Sequence, residues 1–233
     1  MMVKIIILIS LTLAFSFKFS TKFLNLNQKQ GGVELLSKKN QIKEMFNSIS
    51  LKYDLINQMM TFNMDKKWRQ IVFKIAIKDD PKNIIDIATG TGDIALCFAH
   101  ENLQVVGVDN ASQMLDIARQ KSLRFENIQF QMEDAEEMSF EDNLFDVATV
   151  GFGVRNFENL HQGLIEIKRV LKPGKKLVIL ETAVPSFFLF RLGYFIYTKL
   201  FIPLIERYLL TITKLIIIFL HLLSNFLTEK SFN

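Results

Sequence analysis

The residues best able to do chemistry stand in a short glycine loop and at the ends of apolar runs. Gly90 and Gly92 bracket Thr91, and Asp93 follows at once. Paired glycines let a backbone approach a ligand with no Cβ in the way. Asp109 closes the next apolar run, where a carboxylate can accept hydrogen bonds from both hydroxyls of a ribose. Loop and acid together point to a nucleotide; singly, they read equally well as a tight turn and a solvated strand end. The same loop satisfies the dinucleotide pattern G-x-G-x-x-A through Ala95. A pyrophosphate, however, needs a helix start free of negative charge. Here Asp93 occupies that start and Asp86 lies just ahead of the loop. Two such carboxylates suit a cationic ligand carrying an amino group, such as S-adenosylmethionine (SAM), with Asp134 and Ala135 beside the adenine. A dinucleotide-dependent oxidoreductase is the rival reading.

These residues need a scaffold that brings them to one rim, and the pattern supplies it. Short apolar runs at Asn83–Ala88, Leu103–Asp109, Ile128–Met132, Leu144–Gly151 and Lys176–Glu181 read as buried parallel strands. Between them, Ile94–His100 opens a helix, Ser112 can cap another, and Leu160–Leu171 is helical up to Lys172-Pro173-Gly174. In the second helix Met114, Leu115 and Ala118 share one face. Alternation of this kind implies an α/β, doubly wound Rossmann-like sheet, in which ligands bind at the carboxyl ends of the strands. Lys39–Ile77 reads as two or three helices covering the open end of the sheet. The rim then gathers Gly90–Asp93, Asp109, Asp134-Ala135 and Gly151–Asn156.

Composition sets the outer bounds. The chain has 233 residues, enough for one α/β domain with a real core. Half of it is apolar (49%) and 22% is charged, which excludes wholesale disorder. One cysteine, Cys97, excludes a disulfide scaffold and a thiolate zinc site. His100 and His161 are scattered, so no metal and no histidine chemistry is implied, and Trp68 reads as a packing anchor. The net charge of +4 is concentrated at the front, where residues 1–40 hold six Lys and one Glu. That placement argues against a nucleic-acid surface and for an end segment that meets membrane or solvent.

The stretch from Lys39 to Tyr197 resembles the menaquinone/ubiquinone C-methyltransferases of the UbiE/MenG type. The resemblance rests on Met45–Ser50, Tyr53-Asp54 with Asn57, Asp65–Arg69, Asp86–Asp93, Val106–Asp109, Met114-Leu115, Asp134–Glu136, Phe152–Phe157 and Arg169–Gly174. The F-G-x-R-N and Y-D-x-x-N elements are its most specific parts. It implies a SAM-dependent enzyme methylating a ring carbon of a polyprenyl quinol, with demethylmenaquinol first and the benzoquinol of ubiquinone synthesis as alternative. Thr91, Asp109, Met114, Asp134 and Ala135 would bind SAM with Asp86, Gly90, Gly92 and Asp93 of the loop. Gly151, where the family often has Ser, would offer backbone only. Methyl transfer to carbon needs a phenolate, and a phenol ionises near pH 10, so the site needs a base or a cation that favours the anion. Arg155 and Asn156 are placed to hold the quinol oxygens, and Tyr53 and Asp54 are the other candidates. A polyprenyl tail lives in the bilayer and SAM in the cytosol. The expectation is a cytoplasmic enzyme, peripheral on the inner membrane; self-association is left open.

The ends differ from the middle. Residues 1–37 form an apolar and basic extension, 38–205 the methyltransferase domain, and 206–233 an aberrant hydrophobic tail. The uncharged run Ile5–Phe17 fits a membrane-interface anchor, a targeting segment or an over-extended start of translation. From Tyr208 to Leu227 only Lys214 is charged, the length of a transmembrane helix. The family usually continues here with K-x-A-Y-x-Y-L-P-x-S-V. Suitable synonymous codons for Lys214–Leu220, read one nucleotide earlier, give Lys-Ala-Tyr-Asn-Tyr-Leu-Pro. We therefore expect a frameshift between about Ile205 and Lys214, loss of the closing strands of the sheet, an unpaired edge and an inactive remnant as one outcome.

Overall fold

The computed structural model describes residues 2–9, 38–99 and 102–183, together with Ile196 and Lys199. The calculated frame change and the apolar run Tyr208–Leu227 lie outside them. Two helices come first, α1 (Lys38–Thr61) and α2 (Met64–Ala76). Phe62 and Asn63, both at positive φ, break the chain between them. In α2 the buried residues Asp65, Trp68, Val72 and Ala76 recur at helical spacing and turn one face to the sheet.

The sheet is parallel throughout. Its strands are β1 (Met2–Ile9), β2 (Asn83–Ile87), β3 (Gln104–Asp109), β4 (Ile128–Met132), β5 (Phe145–Gly151) and β6 (Leu171–Ala183). Their spatial order is β1-β6-β5-β2-β3-β4. Helix α3 (Ser112–Ser122) joins β3 to β4 and α4 (Leu160–Val170) joins β5 to β6. Period-two alternation sorts the apolar side chains into two layers. Ile84, Val105, Val147, Val178 and Leu180 pack with Trp68, Val72 and Phe98 on the α2–α3 side. Ile85, Ile87, Val108, Leu177 and Ile179 pack with Ile167 and Val170 of α4 on the other. This is the expected α/β, doubly wound Rossmann-like sheet with an N-terminal helical cover.

Four local expectations need correction. The segment from Ile94 makes only a 3₁₀ turn, Ala95–Phe98. A 3₁₀ turn rises about 2.0 Å per residue against 1.5 Å for an α-helix, so it returns a short crossover further. Ser112 is the first residue of α3, not its cap. The Gln113 N–H instead donates to Asn47 Oδ1 of α1 at 3.1 Å, so the helical cover itself supplies the capping oxygen. Leu171 starts β6 rather than ending α4, and Lys172–Lys175 bulge from the strand: Leu171 faces Phe145 while Lys176 faces Val147. Finally, the far edge of β6 is covered. Met2–Ile9 pairs with Lys176–Ala183 over its whole length, where the sequence suggested an open edge; the rest of the run Ile5–Phe17 lies outside the described residues. Among the described residues no helix is long and apolar enough to cross a membrane.

Candidate functional site

The carboxyl ends of β2, β3, β4 and β5 open into one cleft, roofed by α1, with about 750 Å³ of empty space that includes its open mouth. Of the residues expected there, Gly90, Asp109, Met114, Asp134, Ala135 and Gly151 line it, as do Tyr53 and Asn156.

Asp109 is the fixed point of the floor. Its Oδ2 accepts from the Gly90 N–H at 2.9 Å and its Oδ1 from the Ala111 N–H at 2.9 Å. Burial raises its pKa, and these backbone donors pull the other way. Gly90 reaches it through a positive φ of 57°. Gly92, at φ 82°, is held glycine by space as well: an added Cβ would meet Phe130 Cζ at 2.8 Å. Gly153 lets the turn after β5 sit against Ala88, whose Cβ would be 2.5 Å from an added one. Ala88 and Phe152 both line the cleft at positive φ, 53° and 56°. Strain of that kind collects at functional sites.

Asp86 and Asp93 do not line the cleft. Asp86 is buried beneath the loop and accepts from Thr89 Oγ1 at 2.5 Å and Thr149 Oγ1 at 2.6 Å. Burial lifts its pKa to about 6. Asp93 pairs with Lys121 at 2.6 Å and Arg69 at 3.2 Å, and is thereby neutralised. The charge contrast drawn from these two acids therefore moves to others. Glu133, Asp134 and Glu136 line the cleft beside Asp109, and among the described residues Lys39 is the one cation at its wall. Lys39 and Asp134 form an ion pair across the mouth. An acidic lining of this kind fits a cationic sulfonium and an amino group, and disfavours a pyrophosphate.

The remaining expected residues stand just behind the lining. Thr91 donates to Asp54 Oδ1 at 2.6 Å, and Lys121 binds Asp54 Oδ2 at 2.5 Å. Arg155 pairs with Glu181 Oε1 at 2.5 Å, its guanidinium carbon 5.9 Å from the ring centre of Phe152. Tyr53 meets Phe46 edge-on at 5.9 Å, and burial raises its phenol further above the ordinary value. Sequence reasoning passed over Lys39, Phe46, Glu133, Phe152 and Phe157 as lining residues. Phe152 and Phe157 belong to the F-G-x-R-N segment, and that motif was the available signal for them.

The profile of the ubiE/COQ5 methyltransferase family matches residues 34–214. The chain belongs to that family. It is an enzyme, a SAM-dependent methyltransferase. A demethylmenaquinone methyltransferase of Bacteroides fragilis is 40% identical over 177 residues, covering 74% of this chain and 72% of that one. A ubiquinone/menaquinone biosynthesis C-methyltransferase of Geotalea daltonii is 38% identical over 179 residues, covering 74% and 76%. Among solved structures, the [4+2]-cyclase SpnF superposes with a TM-score of 0.55 at 20% identity, over 64% of this chain and 61% of that one. That likeness speaks for the fold alone.

Proposed function

We propose that this methyltransferase transfers the methyl group of SAM to a ring carbon of a polyprenyl quinol, converting demethylmenaquinol to menaquinol. The observation that carries the reading is the acidic cleft at Asp109 in a chain of this family. The Bacteroides fragilis relative's name favours the naphthoquinol. The Geotalea daltonii relative's name keeps the benzoquinol of ubiquinone synthesis as the alternative.

SAM supplies an electrophilic methyl on a positively charged sulfur. Asp109, its two oxygens set by backbone N–H groups, would accept from the ribose hydroxyls, and Asp134 and Ala135 would flank the adenine. The quinol must give up a phenolic proton, to a water, to make its ring carbon nucleophilic; when the carbon takes the methyl, S-adenosylhomocysteine would be the leaving group and the ring C–H proton would pass to solvent to restore the aromatic ring. Arg155 brings a delocalised guanidinium cation, so it stabilises the phenolate and orients a water rather than taking the proton. Asn156 lines the cleft and holds a second quinol oxygen. Tyr53, kept protonated by burial, donates a hydrogen bond from the roof. Phe46, Phe152 and Phe157 exclude water from the reacting atoms.

The prenyl tail requires access to a bilayer, and the helical cover offers a face for it. Leu51 and Leu55 stand one turn apart on α1, and Phe62 and Met64 follow at the helix junction, all exposed. Lys52, Lys66 and Lys67 lie among them, also exposed. We place the enzyme peripherally on the cytoplasmic side of the inner membrane through this face. The catalytic unit is 38–205, and the tail after it reflects a changed frame. The family profile ends at Lys214, the downstream limit of the expected shift. Resequencing codons 205–214 tests that point.

The function is tested with methyl-labelled SAM and two short-chain acceptors, a demethylnaphthoquinol and a methoxybenzoquinol. Label is expected in the naphthoquinol. Arg155→Ala is expected to lower turnover by about a hundredfold, the size of losing one preorganised charge donor. Calorimetry on the same protein should give heat with SAM and none with NADH. Uptake of NADH without SAM would overturn the reading, and transfer to the benzoquinol alone would move the substrate to the alternative.

A further inference from the structure

Five charged side chains from four parts of the chain meet behind the glycine loop. We propose that Lys121 is a positioning residue that fixes the roof of the cleft to its floor and so sets affinity for the methyl donor. Its ammonium meets Asp54 Oδ2 at 2.5 Å, Asp93 Oδ1 at 2.6 Å and Thr91 Oγ1 at 3.0 Å, which uses all three of its hydrogens. Asp54 belongs to α1, Thr91 and Asp93 to the loop, and Lys121 to the last turn of α3. Arg69 of α2 extends the set, binding Asp93 Oδ2 at 3.2 Å and Asp65 Oδ2 at 2.6 Å. Three carboxylates thus share two cations, and Asp93 spends one oxygen on each.

The position of this cluster matters more than its strength. The side chains of Lys121, Asp54 and Asp93 are 27%, 29% and 31% exposed, and ion pairs that wet add little to global stability. What they define is where three elements stand. Tyr53 precedes Asp54 and roofs the cleft, its Cε1 3.9 Å from the Cβ position of Gly90. Gly90 precedes Thr91, and its N–H holds Asp109. A lysine that binds both Asp54 and Thr91 therefore spaces Tyr53 from Asp109 without touching a ligand. Removing its charge leaves three carboxylates to one guanidinium, and repulsion drives α1 from the loop.

The test uses the full chain with Lys121→Met, the milder Lys121→Gln and the conservative Lys121→Arg. Hydrogen exchange without ligand should show the amides of Met45–Thr61 opening about tenfold faster in the first two variants, with β2 amides unchanged. The Kd for SAM should rise about tenfold while kcat at saturating SAM stays within about threefold, and Lys121→Arg should recover most of the affinity. Unchanged exchange in α1, or a uniform rise across the sheet, overturns the proposal. So does an unaltered Kd. If neither the Met nor the Gln variant unfolds cooperatively in urea, Lys121 is a stability element and the proposal falls. The affinity arm rests on the SAM reading. A wild-type chain that ignores SAM overturns that reading instead, and α1 exchange still decides this one.

Discussion

Asp86 is 1% exposed and surrounded by donors, so its charge acts on the fold. Two threonine hydroxyls and the Ala95 N–H converge on its carboxylate and tie the start of the glycine loop to β5. Burial outweighs these donors and lifts the pKa from the ordinary 3.8 to about 6. The folded state therefore holds this proton more tightly than the unfolded chain does. The stability it contributes is full below about pH 4 and is lost as pH rises through about 6. The shift corresponds to about 3 kcal/mol between those limits. Asp86→Asn, which carries no titrating proton, should remove that slope. Urea unfolding from pH 4 to 8 would show the variant gaining on wild type by about 3 kcal/mol as the pH rises; parallel profiles would refute the assignment. Asp86→Ala, which strands the donors, should cost about 1–3 kcal/mol per unsatisfied group. Asp109 and Gly90 line the cleft where the sequence put them, because strand ends and positive-φ turns leave local marks. Asp86, Thr91 and Asp93 stand behind the lining, held by partners such as Thr149 and Lys121 that come from other elements and that nothing local in the sequence reports.

The element least legible in the sequence is β1. An apolar, Ile-rich run reads alike as membrane contact, targeting segment or strand, since periodicity cannot separate them. Its residues 2–9 pair with β6 in register and give an otherwise open edge a partner. Because β-strand donors alternate in direction, one of any two successive residues turns its N–H toward the neighbour. Ile5→Pro/Ile6→Pro must therefore remove at least one donor to β6. The expected result is faster exchange of amides in Lys176–Ala183 and concentration-dependent self-association by sedimentation, with β2 and β3 unaffected. Protection of β6 equal to wild type would show that β1 does not hold the edge. By contrast β2, β3 and β5 were legible at once, since strands buried on both faces are continuous apolar runs. The crossover from Ile94 was not, because the same apolar residues serve an α-helix or a tighter 3₁₀ turn, and the distance to be covered decides between them.

At the scale of the whole molecule, the catalytic rim and the exposed apolar face share one element. Helix α1 roofs the cleft with Phe46 and Tyr53 and turns Leu51 and Leu55 outward. Leu51 is 91% exposed and Phe62 is 70% exposed, an arrangement that wastes apolar area unless something apolar meets it. A bilayer would bury those side chains and hold Lys52, Lys66 and Lys67 at the level of anionic headgroups, each worth about 1 kcal/mol there. It would also bring the roof of the cleft against the medium that holds a prenyl tail. Replacing two leucines by charge removes about 1.5–3 kcal/mol of burial each. Leu51→Asp/Leu55→Asp should accordingly lower co-sedimentation with phosphatidylglycerol-containing vesicles by at least about tenfold, and the residual binding should weaken further with salt. Neither leucine lines the cleft, so affinity for SAM should not change, and turnover of a short-chain quinol should be kept while that of a long-chain quinol in vesicles is lost. Equal retention of variant and wild type on the vesicles would move the membrane contact away from α1, to a part of the chain that does not roof the site.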